Sequence, residues 1–133
     1  MSENVYVLGA GMIKFGRYPE RKAEELGGDA ALIALDDAGM TIHDIQALYS
    51  GNLLRANDPI GQRILGQIGQ TGVPVINVAN ACATGATALR EAYTAVRAGM
   101  VDVALVVGSE QMGKGLLGGG PQDGIPTEGL LGS

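Results

Sequence analysis

The chain has 133 residues, of which 46% are hydrophobic, 17% charged and 4% aromatic, and its formal net charge at pH 7 is −5. This composition excludes intrinsic disorder for most of the chain, and an acidic chain without a Lys/Arg cluster is not expected to bind nucleic acid. The apolar run of residues 103–107, like every other in the sequence, is far shorter than the roughly 18 residues of a membrane span. With no visible signal peptide and one cysteine, we expect a cytoplasmic protein without a disulfide or a bound metal.

Glycine is distributed unevenly along the chain. Nine of the 22 glycines fall within residues 108–133, whereas the earlier ones stand mostly at predicted turns. Glycine-rich segments without hydrophobic periodicity are typical of loops. We therefore expect an α/β domain over residues 1–107, followed by a loop-like segment over residues 108–133.

The first predicted elements alternate between strand and helix. Residues 5–8 are β-branched, aromatic or aliphatic, and they predict a strand that ends at Gly9. Apolar side chains at helical spacing predict a helix over residues 21–38, with Gly39 as its C-terminal cap. A short second strand is predicted over residues 45–50.

The middle of the chain predicts a second helix and a third strand. The isoleucines and the leucine of this segment lie on one side of a predicted helix. The helix starts at Pro59, with Asp58 as its predicted N-cap, and ends within residues 69–72. The apolar run of residues 73–78 predicts the third strand.

The last two predicted elements are a helix and a strand. An Ala-rich helix is predicted over residues 84–98, closed by Gly99. Residues 101–107 are apolar except Asp102, which predicts a fourth strand in the middle of a parallel sheet. Four strands joined by three helical crossovers predict the α/β class, a parallel sheet with helices on both faces.

Two glycine motifs do not predict nucleotide binding. A dinucleotide fingerprint needs Gly-x-Gly-x-x-Gly that opens directly into a helix. In the loop over residues 9–16, Lys14 takes the third glycine position, and the predicted helix begins only near residue 20. Residues 113–115, Gly-Lys-Gly, lack the Ser or Thr and the upstream glycine of a phosphate loop.

Cys82 is the strongest candidate for chemistry. It lies between a predicted buried strand and the predicted N-terminus of the Ala-rich helix. Free backbone N–H groups and the helix dipole at such a position favour the nucleophilic thiolate. The same N–H groups could hold a developing oxyanion on an acyl carbonyl. The alternative is a small buried hydrophobic residue without reactivity.

The sequence around Cys82 resembles the nucleophile region of thiolases. The match comprises residues 80–85, the Ala-rich helix and residues 101–113, and the opening over residues 5–12 with Phe-Gly-Arg at 15–17 matches the start of the same family. The resemblance covers residues 4–117 and is closest to the sterol-carrier-protein-type and acetyl-CoA acetyltransferase branch. It implies that the chain is the N-terminal half of a thiolase-like αβαβα fold.

The resemblance also implies a role for Cys82 and its neighbours. Cys82 would take an acyl group from a coenzyme A thioester, with its own N–H as half of an oxyanion hole and Gly85 supporting the turn. Asn80 is expected to hydrogen-bond around this turn or to form an Asx-type turn. Glu110 follows the fourth predicted strand at the same sheet edge. Because a close carboxylate disfavours a thiolate, we expect Glu110 to brace a loop, with a general base as the second option.

The catalytic base that the family uses is not found in this chain. The single histidine, His43, precedes the second predicted strand and so lies at the opposite sheet edge from Cys82. A strand of five residues separates these edges by about 16 Å, whereas a general base must come within about 3 Å. We expect the base to come from further sequence or from a second chain. Residues 118–120 are expected to begin a loop that covers the pocket.

These observations leave three functional hypotheses open. The first is the nucleophile-bearing part of a thiolase-like acyltransferase that forms or cleaves C–C bonds on acetyl-CoA or another acyl-CoA substrate, with no bound cofactor. The second is a non-catalytic half-thiolase scaffold. The third is a retro-aldol acyl-CoA lyase subunit, whose relatives pair with a zinc-ribbon and OB-fold protein. The resemblance further implies a homodimer or a higher oligomer.

Overall fold

The computed structural model describes residues 4–113. They form a three-stranded parallel sheet with two helices on one face and one on the other. In chain order the elements are α1 (Ala23–Ala38), a 3₁₀ turn (Ile42–Asp44), β1 (Ala47–Gly51), α2 (Ile60–Ile68), β2 (Val75–Val78), α3 (Thr84–Arg97) and β3 (Ala104–Gly108). The α/β class and the parallel sheet predicted from the sequence are confirmed.

The strand in the middle of this sheet is β1, because the spatial order is β2-β1-β3. Tyr49 of β1 lies opposite Ile76 of β2 and Val106 of β3, and all five β1 residues are buried. The expectation that residues 101–107 form a middle strand is therefore wrong for the described sheet. An apolar strand requires helices over both faces, which β3 has, but it does not require a strand on each side.

The predicted strand over residues 5–8 is also wrong. These residues are irregular, and Tyr6 and Val7 are 73% and 81% exposed. The segment instead lies along α1, where a Cβ added to Gly9 would come within 2.6 Å of the Ala34 carbonyl oxygen. Ala10 donates its N–H to Asp37 Oδ2 at 2.9 Å. A strand needs a neighbouring strand to hydrogen-bond its backbone groups, and residues 4–113 provide no strand beside residues 5–8.

Helix ends follow the sequence only in part. Gly39 caps α1 with a left-handed backbone (φ 68°), as predicted. Asp58, however, is not the N-cap of α2: Pro59 takes that position without a side-chain hydrogen bond. The Asp58 carboxylate pairs instead with Arg55, whose Nη2 lies 2.5 Å from Oδ2. An ionised partner thus draws the side chain away from the helix terminus.

The two faces of the sheet have different cores. The α1/α2 face buries large aliphatic side chains, whereas the α3 face buries alanines and one tyrosine from β1, so α3 packs close to the sheet. The first core comprises Ala31, Leu35, Ile42, Ile45, Leu48, Ile60, Ile64, Leu65, Leu105 and Val107, and the second comprises Ala47, Tyr49, Ala88, Ala92 and Ala95.

Among residues 4–113, no helix has the length and apolarity to cross a membrane. The predictions that fall on residues 114–133, including the pocket-covering loop at 118–120, lie outside the described residues. Within residues 109–113, the first three positions pack against the domain through hydrogen bonds.

Candidate functional site

Cys82 lies at the sheet edge where all three parallel strands end. It follows β2 by four residues and precedes the first residue of α3 by two. Its thiol is free and exposed. In an α/β fold, the carboxyl edge of the sheet is where ligands bind. The backbone therefore presents Cys82 where a substrate can reach it.

The turn that contains Cys82 has an unusual backbone. Ala81 has a φ of 46° and is the one non-glycine residue with a positive φ among residues 4–113. The hydroxyl of Thr84 bridges this turn: its Oγ1 accepts the N–H of Asn80 at 2.7 Å and donates to the Ala81 carbonyl at 2.7 Å. A left-handed backbone is unfavourable for a residue with a Cβ, so these two bonds fix the turn against its intrinsic preference.

The Asn80 side chain extends this local network into α3. Its Nδ2 donates to Thr87 Oγ1 at 2.9 Å, and Thr87 Oγ1 donates to the Ala83 carbonyl at 2.8 Å. The Asn80 amide thus bonds a helix side chain rather than its own backbone. The Asn80 side chain thus links the Cys82 turn to the second turn of α3.

The N-terminus of α3 offers unused donors beside Cys82. Its N-cap residue is Ala83, which has no side-chain cap. Within residues 4–113, the backbone N–H groups of Gly85 and Ala86 find no acceptor. A Cβ on Gly85 would meet nothing within 4 Å, so the space around it is open. Together with the helix dipole, these donors can stabilise an oxyanion.

Glu110 lies at the same edge but faces a different loop. Its carboxylate accepts the N–H of Leu53 at 2.8 Å, that of Leu54 at 3.3 Å and Asn52 Nδ2 at 3.2 Å. Because β1 separates β2 from β3, two strand spacings, or about 10 Å, lie between the strands that lead to Cys82 and Glu110. Such a carboxylate braces the loop after β1.

Asn52 joins the ends of all three strands. Its backbone N–H donates to Val78 of β2 at 3.2 Å, and its Nδ2 donates to the Ser109 carbonyl at 2.7 Å. Its Oδ1 accepts the N–H of Arg55 at 2.8 Å. At 6% exposure it is a buried polar residue with its side-chain amide paired. It therefore holds the sheet edge in register around the site.

The segment after β3 also anchors the start of α1. Ser109 Oγ donates to the Ala23 carbonyl, and Gln111 Nε2 donates to the carbonyls of Tyr18 at 2.7 Å and Arg21 at 2.5 Å. Asp29 hydrogen-bonds Arg21 and raises the pKa of its guanidinium above its ordinary value. The loop before α1 is thus tied to the same sheet edge.

His43 does not belong to the site. It lies in the 3₁₀ turn before β1 and is exposed, whereas Cys82 follows the carboxyl end of β2. The parallel strands place the two at opposite edges, as the sequence predicted.

Sequence reasoning overlooked Thr84, Thr87, Asn52, Ser109 and Gln111. For the two threonines a signal exists: a Ser or Thr in the first turn of a helix bonds back to the preceding turn. For the other three no local pattern exists, because their partners lie between 57 and 93 residues away.

The comparison with protein families decides where this fold and turn belong. The family model described as "Thiolase, N-terminal domain" matches residues 5–118. The chain belongs to the thiolase family. It is 38% identical over 126 residues to sterol carrier protein 2 of Gallus gallus, covering 92% of this chain and 23% of that protein. It is 36% identical over 113 residues to an acetyl-CoA acetyltransferase of Methanocaldococcus jannaschii, covering 82% and 29%.

Solved structures agree on this thiolase-like fold. The chain superposes on an OleA variant of Xanthomonas campestris with a TM-score of 0.64 at 26% identity, covering 70% of this chain and 28% of that one. For 3-oxoacyl-[acyl-carrier-protein] synthase III of Aquifex aeolicus, the TM-score is 0.69 at 21% identity, with 77% and 34% covered. The thiolase chain spans between 23% and 34% of the length of these four proteins.

Proposed function

We propose that this chain is the nucleophile-bearing part of a thiolase-like acyltransferase, and that Cys82 is the nucleophile. The observation that supports this most is the position of an exposed thiol in a fixed turn at the N-terminus of α3. The family to which the chain belongs supports the acyltransferase class. An acetyl-CoA acetyltransferase among the similar proteins supports an acyl thioester as substrate.

The proposed first step uses the Cys82 thiol and the N–H groups at the start of α3. The Cys82 thiolate attacks the thioester carbonyl, and the new C–S bond forms as the carbonyl electrons move to oxygen. The N–H groups at the start of α3 stabilise this oxyanion. The carbonyl then re-forms as the C–S bond to coenzyme A breaks, and the leaving thiolate takes up a proton from solvent, which balances the proton that the Cys82 thiol released when it became a thiolate. An acyl-Cys82 thioester results.

The second step forms or cleaves a C–C bond by Claisen chemistry. In the synthetic direction, the α-carbon of a second acyl thioester loses a proton and attacks the acyl-Cys82 carbonyl, which returns the thiolate. This proton needs a base within about 3 Å. The only histidine of the chain, His43, lies at the other sheet edge. We therefore propose that the base comes from sequence beyond these residues or from a second polypeptide.

The remaining parts of the proposal concern assembly. We propose a homodimer or a higher oligomer, acting in the cytoplasm on acyl-CoA. Two exposed apolar side chains on α3, Leu89 and Tyr93, favour a covering partner there.

The proposal is tested by acyl transfer to the protein. Purified protein, in its native assembly, is incubated with radiolabelled acetyl-CoA, and the labelled peptide is identified by mass spectrometry. We expect a hydroxylamine-sensitive label on Cys82 that the Cys82→Ala variant lacks. Circular dichroism checks that the variant keeps its fold.

Two results contradict the proposal. A native assembly that takes up no label is not an acyltransferase of this type and fits the scaffold hypothesis. Turnover of acyl-CoA that survives in Cys82→Ala points instead to the retro-aldol lyase, which does not need the thiol.

A further inference from the structure

The Cys82 turn depends on a backbone conformation that its own residues do not favour. Ala81, the residue before the nucleophile, has a φ of 46°. Only glycine adopts this region without a steric penalty from a Cβ. Contacts with residues other than Ala81 must therefore hold the backbone that orients the Cys82 sulfur.

The Thr84 hydroxyl supplies these contacts. Its Oγ1 accepts the Asn80 N–H and donates to the Ala81 carbonyl, each at 2.7 Å, so it joins the peptide group before Asn80 to the peptide group after Ala81. The backbone N–H of Thr84 also donates to the Ala81 carbonyl at 3.2 Å. Rotation of Ala81 to a negative φ would break the bonds made by the hydroxyl.

The Thr84 side chain is itself fixed by the sheet. It is 8% exposed. A Cβ added to Gly51, the last residue of β1, would come within 2.9 Å of Thr84 Cγ2 and 3.3 Å of the Thr84 carbonyl oxygen. The Gly51 carbonyl in turn accepts the Ser109 N–H at 3.1 Å. The methyl group thus packs against β1 while the hydroxyl faces the turn.

We propose that Thr84 is a positioning residue for the nucleophile: its hydroxyl keeps Ala81 left-handed and thereby fixes the Cys82 turn beside the N-terminus of α3. This inference rests on the proposed function only for its effect on acyl transfer. Its effect on the intrinsic reactivity of the thiol is independent of any acyl substrate.

Two substitutions separate the contribution of the Thr84 hydroxyl from that of its methyl group. Thr84→Val keeps the methyl group that packs on Gly51 and removes the hydroxyl, whereas Thr84→Ser keeps the hydroxyl and removes the methyl group. Thr94→Val is the matched control, because Thr94 Oγ1 donates to the Arg90 carbonyl at 2.9 Å on an exposed part of α3. Circular dichroism and thermal melting establish that each variant is folded.

Two rates are measured in the native assembly: alkylation of Cys82 by iodoacetamide, and acylation by acetyl-CoA as a function of its concentration. For Thr84→Val we expect about tenfold slower maximal acylation at an unchanged half-saturating concentration, because misplacement of the nucleophile affects the chemical step. Alkylation is expected to slow about threefold, since the thiolate leaves the helix N-terminus. Thr84→Ser and Thr94→Val are expected to stay within about twofold of the unmodified protein.

A rescue variant keeps the proposal falsifiable if Thr84→Val folds poorly. In Ala81→Gly/Thr84→Val, glycine adopts the left-handed backbone without the hydroxyl, and we expect it to recover at least half of the lost alkylation rate. A lack of any recovery overturns the proposal. So does alkylation of Thr84→Val at the rate of Thr94→Val, or a Thr84→Ser variant as slow as Thr84→Val. If the unmodified protein is not acylated while Thr84→Val slows alkylation, the proposed function fails and the positioning role stands.

Discussion

Two segments at the same sheet edge are held in different ways. The turn from Asn80 to Thr84 is fixed by hydrogen bonds between residues no more than seven positions apart. The segment from Ser109 to Gln111 bonds partners between 56 and 93 positions away. The Cys82 turn is thus a local structure, and it lies on a frame of tertiary contacts made by Asn52 and residues 109–111. Contacts in the frame should change the free energy of unfolding more than the reactivity of the Cys82 thiol. Contacts in the turn should change the reactivity of the thiol more than the free energy of unfolding.

The largest expected effect is in the frame, at Asn52. Asn52→Ala removes an amide that bonds the Ser109 carbonyl, the Glu110 carboxylate and the Arg55 N–H. Because the buried Ser109 carbonyl and two partly buried hydrogen bonds lose this partner, the free energy of unfolding should fall by about 3 kcal/mol in a urea titration. Cys82 alkylation in the folded protein should change less than about twofold.

The control for this prediction is Asn57→Ala, since Asn57 is exposed in the same loop. It should change stability by less than about 0.5 kcal/mol. If Asn52→Ala slows alkylation as strongly as Thr84→Val does, the frame and the turn are not separable.

Gly51 tests the contact between frame and turn. Gly51→Ala places a Cβ within 2.9 Å of Thr84 Cγ2, so it should cost about 2 kcal/mol in urea unfolding and slow Cys82 alkylation as well. Gly108, its register partner on β3, has nothing within 4 Å of an added Cβ. Gly108→Ala should therefore stay within about 0.5 kcal/mol and leave alkylation unchanged. Equal effects of the two substitutions would contradict the close packing of Thr84 on β1.

The smallest expected effect concerns the backbone of the turn alone. Ala81→Gly removes the steric penalty of a left-handed alanine and should raise the free energy of unfolding by about 0.5–1 kcal/mol. Ala86→Gly, in the first turns of α3, should lower it by about 0.5–1 kcal/mol, because glycine disfavours helix. Chemical denaturation measures both, and the same sign for the two variants would refute the strain assigned to Ala81.

Most of the fold could be predicted because its signals are local. Helical spacing predicted α1, α2 and α3 to within two residues at most ends, and Gly39 was recognised as a cap. The wrong predictions concern partners: residues 5–8 have a strand pattern but no neighbouring strand among residues 4–113, and Asp58 pairs with Arg55 instead of capping α2. A pattern in one segment does not say which other segment will contact it.

The sequence by itself determined the α/β class, the family resemblance and the position of Cys82 before a helix, because periodicity and motif spacing are properties of neighbouring residues. The strand order, the buried bonds of Asn52 and the packing of Thr84 on Gly51 were decided only by the tertiary structure. The strand pairs, the bond from Asn52 to Ser109 and the contact between Gly51 and Thr84 join residues between 27 and 57 positions apart. Which distant groups meet depends on the packing of the whole sheet edge, and no local pattern of residues specifies that.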